Sequence, residues 1–214
     1  MIKIPINDIS KIPTNTKIFR FIVYNKPLSN EFSNLDKLIH LIFSDNFNQL
    51  VDNLPPNLLK LEFGDEFNQE VKNLPTKLTS IKFGKNFNKS VDYLPDCLIY
   101  LSFGDNFNQE VNNLPSSIEY LELGQCFSQS LNNLPNNLKI LKIEYSYNLS
   151  LNSILILPEK LEELNIGSYI YTKDFITNIK KLQSYQHLIG PKGKIGPIGP
   201  IGYMEYFAEA IIEE

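Results

Sequence analysis

The side chains best suited to chemistry are few and scattered. There are two histidines, His40 and His187, and two cysteines, Cys97 and Cys126. None of the four sits at metal-ligand spacing, and no Cys-x-x-Cys pair occurs. Acidic neighbours such as Asp65-Glu66 follow a glycine, where they read as solvated turn residues rather than general acids. A Gly-x-Ser-x-Gly nucleophile motif and a phosphate-cradling glycine loop are both missing. The sequence therefore points away from an enzyme and calls for no cofactor or metal. It does carry a polar ladder: Asn48, Asn68, Asn88, Asn108 and Asn148, interrupted by Ser128. Such a row could hold a ligand. The favoured reading is that its amides satisfy backbone groups at successive turns.

Those asparagines belong to a repeat. Phe47, Phe67, Phe87, Phe107, Phe127 and Tyr147 recur every 20 residues. So do Phe43, Phe63, Phe83, Phe103, Leu123 and Ile143, and the Leu-Pro pairs from Leu54-Pro55 to Leu134-Pro135. A fixed period of about 20 marks a leucine-rich-type solenoid. Within one unit, Leu61 and Phe63 alternate with Lys60 and Glu62, as in a short half-buried strand. Gly64 follows, where a turn through positive φ is expected. Pro75 ends the return segment, since it has no N–H to donate. Twenty residues leave no room for a helix on the outer side, so short turns are expected there. One unit buries too little to fold alone, and stability must come from stacking.

The predicted fold is a leucine-rich-repeat-like right-handed coil of about eight rungs, with one parallel sheet on its concave face. Residues 1–34 form a degenerate first rung, in which Ile12-Pro13 to Phe21 imitates the frame. Residues 35–167 form the solenoid, and the 23-residue step from Ile143 to Ile166 implies an insertion around Ser150–Leu155. Residues 168–189 form a C-terminal cap, in which Asp174–Leu182 suits a helix and a last irregular strand is the alternative. Residues 190–202 carry glycine at every third position, resembling collagen but too short for a triple helix unaided, so an extended linker is expected. Residues 203–214 read as a short acidic amphipathic helix with Tyr203, Phe207, Ala210 and Ile211 on one face.

Strand alternation places two rows on the outer face of the sheet. One runs Ile18, His40, Lys60, Ser80, Tyr100, Tyr120, Ile140, Glu163. The other runs Arg20, Ile42, Glu62, Lys82, Ser102, Glu122, Lys142, Asn165. These positions vary from rung to rung while the inward ladder hardly changes. Glu62 beside Lys82, and Glu122 beside Lys142, predict cross-strand ion pairs. Tyr100 and Tyr120 on adjacent strands could anchor a protein partner or merely stack on each other. The candidate partner-binding residues are Tyr100, Tyr120, Lys82, Glu122, Ser102, Lys60 and Glu62.

A net charge of −4 on 214 residues gives no reason to expect nucleic acid or an anionic membrane as partner. No apolar run reaches membrane-span length, and Met1–Ser10 lacks the core of a signal peptide. Two cysteines look like small core residues in a reducing compartment. A cytoplasmic protein is expected, with a monomer favoured over a trimer.

The block Phe-Asn-Gln/Lys-x-Val/Leu-x-Asn/Tyr-Leu-Pro, closing in Leu-x-x-Leu-x-Phe-Gly, resembles the FNIP repeat. Phe67-Asn68-Gln69, Phe87-Asn88-Lys89 and Phe107-Asn108-Gln109 carry the match. That repeat is leucine-rich-like and occurs in social amoebae and in giant viruses that infect amoebae. The resemblance implies a solenoid for protein–protein interaction, in the host cytoplasm if the source is viral. It also implies a possible role as a ubiquitin-ligase adaptor, although residues 1–34 contain no recognisable F-box. A structural component of a virion or fibre, oligomerised through the Gly-x-y tail, is the alternative.

Overall fold

The computed structural model describes residues 12–28, 30–144, 157–174 and 176–177. Within them the chain winds as a β-solenoid. Its strands are β1 (Ile18–Arg20), β2 (His40–Ile42), β3 (Lys60–Glu62), β4 (Ser80–Lys82), β5 (Tyr100–Ser102), β6 (Tyr120–Leu123), β7 (Ile140–Ile143), β8 (Glu163–Ile166) and β9 (Tyr169–Tyr171). They form one sheet in chain order. Strands β1 to β8 are parallel, and β9 turns back antiparallel on β8. Gly167 makes that reversal, with φ of 58°. The 20-residue period fixes the register: Lys60 pairs with Ser80, Ser80 with Tyr100 and Tyr100 with Tyr120. Seven spacings of roughly 4.8 Å make the parallel face about 34 Å long.

The first rung is degenerate in sequence but regular in structure. Thr16 N–H donates to the Pro13 carbonyl at 3.0 Å, the same turn that Leu78 makes on Pro75 and Leu98 on Pro95. Phe19 takes the inward place that leucine or isoleucine holds elsewhere and is fully buried. A 3₁₀ segment, Asn30–Asn34, fills the long second step. At the far end, Ile176 is buried and its N–H donates to the Thr172 carbonyl, so a helical turn starts there. The Ser150–Leu155 insertion, the rest of the 174–182 helix, the Gly-x-y linker and the acidic C-terminal segment lie outside the described residues.

The core is two files of stacked rings. Phe43, Phe63, Phe83 and Phe103 stack 5.4–5.5 Å apart along the axis. Phe47, Phe67, Phe87, Phe107 and Phe127 follow at 6.0–6.2 Å. Within a rung the two rings approach to 3.7–3.9 Å. Buried Leu, Ile and Val complete each layer.

The glycines are required for a reason other than the expected one. Among described residues, Gly167 alone has positive φ. Gly84 instead lies against the carbonyl of Gly64, and a Cβ there would come within 2.7 Å of Asp65 Cα. Gly104 and Gly124 meet the preceding glycine carbonyl in the same way. The file exists because neighbouring rungs touch through their backbones at this corner.

The cysteines also depart from expectation. Cys97 and Cys126 are free and exposed. Cys97 lies in the turn after Pro95 and Cys126 in the turn after Gly124, outside the apolar layers.

Candidate interaction face

The asparagine ladder is structural. The Asn48 side-chain oxygen accepts from Asn68 N–H at 3.0 Å, that of Asn68 from Asn88 N–H at 2.9 Å, and that of Asn88 from Asn108 N–H at 3.0 Å. Ser128 N–H donates to Asn108, so the interruption does not break the file there, and Asn148 lies outside the described residues. Asn25, which the period missed, starts the file under Asn48. Gln69, Gln109 and Gln129 add a second donor to the oxygens of Asn48, Asn88 and Asn108. With these bonds made, the ladder has little left to offer a ligand.

The outer sheet face is the surface on which rungs differ, and the register brings the two tyrosines together. Tyr100 and Tyr120 are paired across β5 and β6. Their rings stack with centroids 4.4 Å apart and planes 14° from parallel. Lys142 Nζ lies 5.4 Å from the Tyr120 centroid, a cation–π placement. Partial burial raises both phenol pKa values, and the Glu122 carboxylate adds to the effect by disfavouring a second negative charge.

The other site candidates fall around this pair, with departures. Lys60 and Lys82 are exposed. Ser102 is not available as a contact residue: it is only 3% exposed, and its hydroxyl donates to Glu122 at 2.8 Å. Being short, it lies beneath longer neighbours. Ile42, in the same row, is covered likewise. The expected ion pairs do not form among the described residues, although the register is as predicted. Glu62 reaches to the other side, where His40 Nε2 lies 2.8 Å from its Oε1, and Lys142 turns to Tyr120. The shortest lysine–carboxylate pair on this face joins Lys139 to Glu119 at 2.9 Å, in a row that strict alternation does not reveal.

That third row has a backbone cause. On each rung two consecutive N–H groups share one carbonyl of the rung before. Leu59 and Lys60 both donate to Ile39, Thr79 and Ser80 to Leu59, and Ile99 and Tyr100 to Thr79. Two adjacent side chains therefore face outward together. The extra row begins apolar, with Ile39, Leu59 and Ile99 38%, 39% and 45% exposed, and ends at the Glu119–Lys139 pair. The signal was legible as a Leu-x-x-Leu spacing, in place of alternation, between Leu58 and Leu61.

No group of three or more His, Cys, Asp or Glu able to hold a metal occurs among the described residues. No helix among them is long and apolar enough to cross a membrane.

A parallel sheet one strand per rung, turns in place of outer helices, and a nearly constant aromatic and aliphatic core beneath a variable face define a repeat-protein scaffold of the leucine-rich-repeat kind. The FNIP Repeat model matches residues 50–86, 87–126 and 127–169, over half of the chain, and the chain belongs to that family. Among solved structures it is similar to CroV588, described as a novel circular LRR protein. The two share 32% identity with a TM-score of 0.54 over 74% of this chain and 31% of that one. The chain thus spans about a third of the length of that protein. No curated protein matches.

Proposed function

We propose that the chain is a non-enzymatic scaffold that binds a protein partner through the exposed face of its sheet, anchored at Tyr100 and Tyr120. The carrying observation is the stacked tyrosine pair on a rigid, otherwise variable face. Two large rings fixed against each other lose little conformational freedom on binding, and aromatic anchors of this kind dominate interface energetics. Lys60, Lys82, Glu62 and Glu122 surround the pair and would set orientation more than affinity. A face about 34 Å long suits a partner of standard interface size. Neither nucleic acid nor membrane is the expected partner, because the charge is mildly acidic. The similarity to CroV588 supports a giant-virus setting, with action in the host cytoplasm.

The test is Tyr100→Ala with Tyr120→Ala. Both side chains are only half-buried, so the double variant is expected to fold. It is expected to weaken partner capture by about 2 kcal/mol or more, roughly thirtyfold. Equal recovery of the same partner by the folded double variant would move the site off this face.

A further inference from the structure

The row Ile39, Leu59 and Ile99, with Thr79 between them, lies beside the tyrosine site and is left exposed among the described residues. Lysines border it, with Glu62 between Lys60 and Lys82 turned to His40. Lys17 precedes Ile39 in the same row, Lys60 and Lys82 flank it on one side, and Lys77 on the other. Lys77 donates to the neutral Asn57 side chain at 2.7 Å. None of Lys17, Lys60, Lys77 and Lys82 makes an ion pair with a carboxylate among the described residues. Beyond Ile99 the face carries Glu119, Glu122, Glu162 and Glu163 together with Lys139 and Lys142. The stripe therefore asks for a segment that is apolar on one side and acidic beside it.

Residues 203–214 have that composition. They contain Glu205, Glu209, Glu213 and Glu214 and no lysine or arginine. At helical spacing, Tyr203, Phe207, Ala210 and Ile211 share one face, with Glu213 and Glu209 toward one side of it and Glu205 opposite. A helical turn advances about 5.4 Å against a rung spacing of about 4.8 Å, so successive apolar turns would meet successive rungs. The connection is long enough. Residues 178–202 separate the helical turn after Thr172 from this segment. Even the root-mean-square span of a random coil of about 25 residues is roughly 28 Å, and the stripe centre lies about 25 Å from β9. A tether of that length gives an effective concentration on the order of millimolar.

We propose that the chain's own C-terminal segment, residues 203–214, docks intramolecularly along the Ile39–Leu59–Ile99 stripe, with its carboxylates against Lys60, Lys77 and Lys82. The stripe shares Lys60 and Lys82 with the tyrosine reading, but the proposal stands without that reading. Ile99 adjoins Tyr100, so the docked segment would border the tyrosine pair.

The test is zero-length carbodiimide crosslinking of the full chain at low micromolar concentration, mapped by mass spectrometry on the isolated monomer. The Glu119–Lys139 pair serves as internal control. Crosslinks from Glu209 or Glu213 to Lys60, Lys77 or Lys82 are expected. They should fall about tenfold or more in Phe207→Asp, which keeps every carboxylate but removes the apolar anchor. That change lies in the C-terminal segment and leaves the solenoid sequence intact. Control crosslinks without these, or these surviving undiminished in Phe207→Asp, would overturn the proposal. So would finding them only in a dimer fraction, which would assign the stripe to a second copy.

Discussion

Phe87→Ala probes the stacking that holds the rungs together. The ring is fully buried. It contacts Phe83 in its own rung at 3.8 Å, Phe67 at 6.0 Å and Phe107 at 6.1 Å in the rungs on either side, and Phe103 at 6.2 Å. Truncation removes about 2–3 kcal/mol of apolar transfer and adds a cavity that the stacked backbone cannot close, for a total of roughly 3–5 kcal/mol. The rung cannot collapse because its spacing is fixed by hydrogen bonds to both neighbours. With an m-value of about 2 kcal/mol/M, a loss near 4 moves the urea midpoint down by about 2 M. Far-UV circular dichroism reads the transition. Amide exchange at β4 and β5 shows whether opening starts at the mutated rung, as nearest-neighbour coupling requires. Tyr93→Ala, at a side chain 65% exposed, is the control and should stay within about 0.5 kcal/mol. A loss below about 1 kcal/mol at Phe87 would refute the account of the ring files as the source of cohesion.

Gly84→Ala should be more damaging than a helix-type Gly→Ala change, because the new methyl meets the Gly64 carbonyl and Asp65 backbone rather than a movable side chain; an unchanged melting temperature would contradict the close approach. Asn88→Ala should cost about 1–3 kcal/mol by leaving Asn108 N–H and Gln109 without their acceptor, with exchange of the Asn108 amide accelerating first. Tyr100 and Tyr120 should ionise above the ordinary tyrosine range of about 10 in a spectrophotometric titration, and Tyr100→Phe should remove one displaced transition. Because folding disfavours the phenolates, the stability linked to them is present below about pH 10 and lost as pH rises through the folded values; greater stability above that pH would reverse the sign.

Much of this molecule is a consequence of the 20-residue period alone. Once Leu61, Phe63 and Phe67 face inward on one rung, identical spacing sends Ile81, Phe83 and Phe87 to the same places on the next. Register, the ring files, the turn at each proline and the asparagine ladder all follow. The core and the sheet were legible because each is a repeated local pattern satisfied by its own translated copy. What the tertiary structure decided lies where neighbouring rungs differ or backbones touch. Alternation predicts two outward rows, but the shared carbonyl on each rung turns a third outward and exposes Ile39, Leu59 and Ile99. Glycine was expected for its φ and is needed for close approach, since contact between rungs is not a property of any one segment. Ser102 is buried because of what stands on either side of it, and Glu62 turns to His40 because its reach includes both neighbours. A single rung specifies the shape of its backbone, while which side chains remain open to a partner is fixed by the heights and charges of the rungs beside it.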